Sequence, residues 1–103
     1  MQPILLFCFE GSYSHMNILL ATNHLFDLTG SEITLLTIAK KLKEKGVTVF
    51  VYSPYTKLNF LRNFDGIAPV CTRIQELQAL RFDAAYVQHH PIALELRHYF
   101  PNL

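Results

Sequence analysis

Residues 16–52 read MNILLATNHLFDLTGSEITLLTIAKKLKEKGVTVFVY, and the order of local patterns in this stretch decides the fold. Asn17-Ile18-Leu19-Leu20-Ala21-Thr22 is a short apolar run ending in polar residues, as expected of a strand buried in a parallel sheet. A loop over Asn23 to Leu28 follows. Thr29-Gly30-Ser31-Glu32 then has the form of a capping box, in which the Thr29 side chain accepts from the Glu32 N–H and the Glu32 side chain reaches back. Ile33, Leu35, Leu36, Ile38, Ala39 and Leu42 recur at helical spacing and are expected on the buried side. Lys43-Glu44-Lys45-Gly46 predicts the helix end, since cations suit the negative pole of the helix and glycine suits the turn beyond it. Val47 to Tyr52, β-branched and aromatic throughout and closed by Ser53-Pro54, predicts the strongest strand of the chain.

Working outward, a helix is expected over about 56–63, with Leu58, Leu61 and Phe64 facing inward. A short strand near Ile67 to Cys71 and a helical turn around Ile74 to Leu80 come next. Asp83 to Val87 reads as a fourth strand, and Ile92 to Tyr99 as a last helix ended by Pro101. This alternation predicts an α/β fold: a Rossmann-like parallel sheet of order 3-2-1-4 with flanking helices. Residues 16–103 form that domain. Residues 1–15 stand apart as an N-terminal extension. Pro3 to Glu10 reads as an extra edge strand, an apolar extension, or sequence translated from an upstream start; the unneeded extension is the plainest reading.

The chain has 103 residues, enough for one small domain. Half of them are hydrophobic and 17% are charged, a composition that forms a core and argues against disorder. So little charge on so small a domain also points to apolar surface meant for a partner domain. A net charge of +1 offers no electrostatic footprint for nucleic acid. Lys40, Lys41, Lys43 and Lys45 read as a solvated helix face, with weak peripheral contact to anionic lipid as the alternative. Cys8 and Cys71 have no metal-ligand or redox spacing, and no apolar run approaches the ~20 residues that span a bilayer, so a cytoplasmic protein is expected.

Ligands of doubly wound sheets bind beyond the carboxyl ends of the strands, where the strand order reverses. That rule selects the loop Asn23 to Ser31 and the loop Gln88 to Pro91. In the first, Gly30 and Ser31 open a helix whose free N–H groups suit a phosphate, and Asn23, His24 and Thr29 stand beside them; the plainer reading is that Thr29 to Glu32 only cap the helix. In the second, His89 and His90 are the catalytic candidates. An imidazole there can hydrogen-bond a sugar hydroxyl or polarise a departing phosphate; the plainer reading is a packed or solvated loop histidine. His24, His89 and His90 lack a carboxylate or thiolate at ligand spacing, so no metal and no cofactor is expected. Glu95-x-x-His98 is a formal ligand pair without the second helix such sites need. There is no G-x-G-x-x-G, no G-x-x-x-x-G-K-[ST] and no G-x-S-x-G.

Taken together, these residues resemble the N-terminal domain of family 4 glycosyltransferases, enzymes built from two facing Rossmann-like domains (the GT-B architecture). The resemblance runs from Met16 to about Asn102. Asn17 to Thr22 stands where that family has its first strand. Thr29-Gly30-Ser31-Glu32 with Leu36, Ala39, Leu42 and Gly46 is similar to its glycine-containing loop and first helix. Phe82-Asp83 to His90 is similar to its later strand, which ends in a histidine-bearing loop; either His89 or His90 takes that place. The family's paired glycines stand here as Thr29-Gly30, and its usual polar residue after the helix-ending glycine is Val47. The resemblance implies the acceptor side of a retaining enzyme that moves a sugar from a nucleotide-sugar donor to a saccharide or lipid-linked acceptor. Most of the donor, with a Glu-x7-Glu pair, would be held by a C-terminal domain. The glutamates here are Glu10, Glu32, Glu44, Glu76 and Glu95, and no two are eight apart, so the chain is expected to be inactive alone. The alternative is a non-enzymatic binding module that docks on a separate donor-binding subunit. A flavodoxin- or receiver-like protein is a third reading, disfavoured by the lack of an acidic cluster after the first strand and of a Ser/Thr-rich phosphate loop.

Overall fold

The computed structural model describes residues 4–5, 16–26 and 30–101. Its strands are β1 (Ile4–Leu5), β2 (Asn17–Ala21), β3 (His24–Leu25), β4 (Thr48–Tyr52), β5 (Tyr55–Thr56), β6 (Val70–Cys71) and β7 (Ala84–Val87). Its helices are α1 (Gly30–Glu44), α2 (Leu58–Leu61) and α3 (His90–Tyr99), with single 3-10 turns at Arg62–Phe64 and Ile74–Leu77. Among the described residues, five strands form one sheet in the order β1-β7-β2-β4-β6. β7, β2, β4 and β6 are parallel. From the β6 edge inward these four follow the expected 3-2-1-4 order. The sheet differs from the expectation by one strand: Ile4–Leu5 pairs antiparallel with Val87 and Tyr86. That pairing accounts for two residues of the leading segment; the rest of Pro3 to Glu10 lies outside the described residues.

The sheet is covered on both faces, which is why β2, β4 and β7 are apolar on successive residues beyond Asn17 and Thr48 rather than alternating. Ile18, Leu20, Val49, Val51, Ala84 and Tyr86 face Leu35, Leu36, Ala39 and Leu42 of α1 and Phe60 and Phe64 beyond β5. Leu19, Ala21, Tyr52, Ala85 and Val87 face Ile92 and Leu96 of α3 with Ile74, Leu77 and Phe82. Two inward assignments need correction. Ile33 is 47% exposed, and the buried position in the first turn of α1 belongs to Glu32. Glu32 is seven residues from Ala39, nearly two whole turns, whereas Ile33 is six and so points to the side. Leu58 is 71% exposed because Phe60 and Phe64, one turn apart, take the inner face and Leu58 falls opposite them.

α1 ends as its sequence predicts. Gly46 has a φ of 84°, its N–H donates to the Lys43 carbonyl at 3.0 Å, and the Val47 N–H donates to that of Leu42 at 3.1 Å. This paired closure places its glycine in the left-handed region that other residues adopt at a cost. β3 and β5 were not foreseen in the loops that follow β2 and β4. They pair parallel, His24 with Tyr55 and Leu25 with Thr56, and carry the two chains beyond the main sheet together. Among the described residues no helix is long and apolar enough to cross a membrane.

Candidate functional site

β2 stands between β4 and β7, so the chain winds one way through β4 and β6 and the other way through β7. The carboxyl edge where the two directions part is where doubly wound sheets take their ligands. The register sets its floor: Ala21 pairs with Val87, and the Gln88 N–H donates to the Ala21 carbonyl at 3.0 Å. The next side chains, Thr22 and Gln88, continue the α1-facing alternation of Leu20 and Tyr86. Both are buried, at 0% and 7% exposure. Gln88 reaches to the start of α1, where its Nε2 donates to the Ser31 carbonyl at 2.7 Å. The two loops selected from the sequence therefore meet, across 57 residues of chain.

His24 and His89 complete the wall. His24 leaves β2 through the short β3, and its ring lies 5.8 Å from that of His89, stacked at 20°. On its other side Phe26 lies 5.2 Å away, and the Lys57 ammonium sits 5.3 Å above the Phe26 ring. His89 is the extended residue before α3, with φ −117° and ψ 138°, and its side chain does not cap that helix. Burial, followed by the nearby His24 charge, lowers the His89 pKa from its ordinary 6.5 and favours the neutral imidazole. His89 is partly buried, but its Nε2 is enclosed.

Among the described residues, three enclosed side-chain atoms have no hydrogen-bond partner: Thr22 Oγ1, Gln88 Oε1 and His89 Nε2. All three lie at the carboxyl ends of β2 and β7. Buried polar groups are ordinarily paired, and an unpaired group forfeits its hydration without return.

The sequence-derived candidates divide accordingly. Ser31, His24 and His89 are brought to the carboxyl edge; Gly30 opens α1 and is exposed; Asn23 sits in the bend between β2 and β3. Thr29 and the side chain of His90 lie outside the described residues, and with Thr29 its half of the capping box. The other half reaches further back than expected: Glu32 Oε2 accepts from the Phe26 N–H at 2.5 Å. Thr22 and Gln88 are the site residues that sequence reasoning missed. Their signal was present, since each is the first polar residue after a run of at least four successive buried apolar residues. Glu95 and His98 do not form a ligand pair; Glu95 accepts from the Tyr52 hydroxyl at 2.5 Å, and the His98 ring meets Tyr99 edge-on. Among the described residues no group of three or more His, Cys, Asp or Glu is placed to hold a metal.

The molecule is thus an α/β protein with a doubly wound parallel sheet and, among the described residues, three enclosed polar atoms without partners at the carboxyl ends of β2 and β7. Comparison with protein-family models, curated proteins and solved structures finds no match.

Proposed function

We propose that this chain is the acceptor-side domain of a retaining glycosyltransferase, binding a saccharide or lipid-linked acceptor at the carboxyl ends of β2 and β7. One observation carries the reading: the Gln88–Ser31 hydrogen bond joins the two loops around three enclosed, unpartnered polar atoms. His89 is the group suited to hold a sugar hydroxyl or to polarise a departing phosphate, with His90 next to it. Ser31, Gly30, Asn23 and His24 supply the opposite side, and Thr29, outside the described residues, is the remaining candidate from the sequence. The Glu-x7-Glu pair of the resembling family has no counterpart among these residues, so donor binding and turnover call for a second domain.

The test is a transfer assay on the purified chain with radiolabelled nucleotide sugars and saccharide acceptors, run beside an NMR titration with the same acceptors. The expected result is no transfer, together with saturable shifts at Ser31, Gln88 and His89. Efficient transfer by the chain alone would overturn the half-enzyme assignment. Silence at those resonances would remove the acceptor site.

A second reading is a non-enzymatic module that docks on a separate donor-binding chain. Phe26, Tyr55 and Leu58, exposed by 36%, 61% and 71% along β3, β5 and the start of α2, favour it. Sedimentation separates the two, because only the module forms a stable heteromer with such a chain.

A further inference from the structure

We propose that a cavity at the amino end of β7 binds a small aromatic zwitterion, of the kind a free aromatic amino acid presents. The cavity lies at the other end of the strand from the acceptor site and does not depend on it.

α3 returns from the carboxyl end of β7, so its last turn meets the segment that leads into that strand. Arg81, Phe82 and Asp83 form one wall of the space between them, and Tyr99, Phe100 and Pro101 form the other. Its volume is about 560 Å³, within the range of small-molecule sites.

Three chemistries line this one space. The first is aromatic. Phe82 is buried, with Phe50 edge-on at 5.6 Å and Phe100 edge-on at 5.7 Å, so the rings of Phe82 and Phe100 are held in place by packing. Tyr99 continues their wall. Rings already fixed can meet a ligand's ring at little further cost in entropy. The second is cationic. The Arg81 carbonyl accepts from the Asn17 side chain, but its guanidinium has no hydrogen bond or ion pair among the described residues. That planar fork suits a carboxylate. The third is anionic. Asp83 takes the Asn17 N–H on Oδ2 at 2.7 Å, and its Oδ1 has no partner among the described residues. The negative pole of α3 ends beside it, and the residue four beyond Arg97 is Pro101, which has no N–H to give the Arg97 carbonyl. Arg97 and His98, the basic residues of that last turn, are exposed and do not line the cavity.

Arg81 and Asp83 stand two residues apart in one cavity and do not pair with each other. An anion alone would meet Asp83 and the end of α3, and a cation alone would meet Arg81. A ligand bearing a carboxylate and an ammonium group answers both, and its apolar body lies on Phe82 and Phe100.

The experiment is a ¹H–¹⁵N NMR titration of the full chain at neutral pH with L-phenylalanine, 3-phenylpropanoate, phenethylammonium and glycine in parallel. L-Phenylalanine is expected to shift the amides of Arg81, Phe82, Asp83 and Phe100 saturably. Each singly charged analogue should bind about threefold more weakly, since one exposed ion pair contributes little. Glycine should bind at least about tenfold more weakly, for want of the ring. Arg81→Gln should reduce L-phenylalanine to the affinity of phenethylammonium and leave phenethylammonium no weaker. Phe100→Leu should weaken all three ring-bearing probes by about fivefold. If either singly charged analogue binds as tightly as L-phenylalanine, or Arg81→Gln leaves their order unchanged, the zwitterion assignment falls. If no probe shifts these amides saturably, the cavity is not a binding site.

Discussion

The two ends of the same pair of strands are finished in opposite ways. At the amino end of β2 and β7 the Asn17 N–H donates to Asp83 Oδ2 at 2.7 Å, the Asn17 side chain donates to the Arg81 carbonyl at 3.0 Å, and the Asp83 N–H donates to the Asn17 carbonyl at 2.8 Å. That end is a closed clasp. At the carboxyl end Thr22, Gln88 and His89 each keep one enclosed polar atom without a partner. Polar groups that serve only the fold are paired within the fold, whereas a buried group left unpaired is an exception that calls for an explanation. That difference is what supports the site proposed at the carboxyl edge.

The largest effect is expected where the two ends share a support. Leu20 is fully buried in β2 and pairs with Val51 on one side and Tyr86 on the other. Leu20→Ala should lower unfolding free energy by about 3 kcal/mol in urea titration, through lost burial and the cavity left behind. A loss below about 1 kcal/mol would mean that β2 is not the centre of the core. Asp83→Ala should cost about 1 kcal/mol by opening the amino-end clasp, where the contact is exposed enough for water to take over part of it. Thr22→Val should cost nothing, or stabilise by up to about 1 kcal/mol, because it replaces an unpartnered hydroxyl with a methyl group of similar size. A loss at Thr22 as large as that at Asp83 would erase the contrast between the ends.

The smallest effect is electrostatic. His89 has its pKa lowered in the folded chain, so on acidification the unfolded chain takes up the proton first. Its contribution is level above the ordinary 6.5, and stability falls as pH drops from there toward the lowered folded value. His89→Gln should flatten that part of the pH–stability curve relative to the parent. An unchanged slope would show that the imidazole is not sequestered at the carboxyl end.

Strand order was legible because each parallel crossover must be right-handed and each element announces itself locally: the apolar run to Ala21, the helix stop at Gly46, the β-branched run to Tyr52. Half of the site was legible too, since the switch-point rule named the loops that bring Ser31, His24 and His89 together. Thr22 escaped because it reads only as the polar end of the first strand and Gln88 because it reads as the start of a loop; the assembled sheet shows that both remain inside. Ile33 and Leu58 were misplaced because apolar character alone does not give the angle around a helix when the stripe is wider than the contact.

Local chemistry, then, settled what lies along the chain: which segments are extended, which are helical, and that glycine 46 closes the first long helix. Those choices depend on neighbours a few residues away. The antiparallel pairing of Ile4–Leu5, the clasp at Asn17 and Asp83, and the burial of Thr22, Glu32 and Gln88 were decided only by the assembled sheet. Hydrogen-bond satisfaction is a property of the surroundings, and the surroundings of Gln88 include Ser31 only after both crossovers have folded.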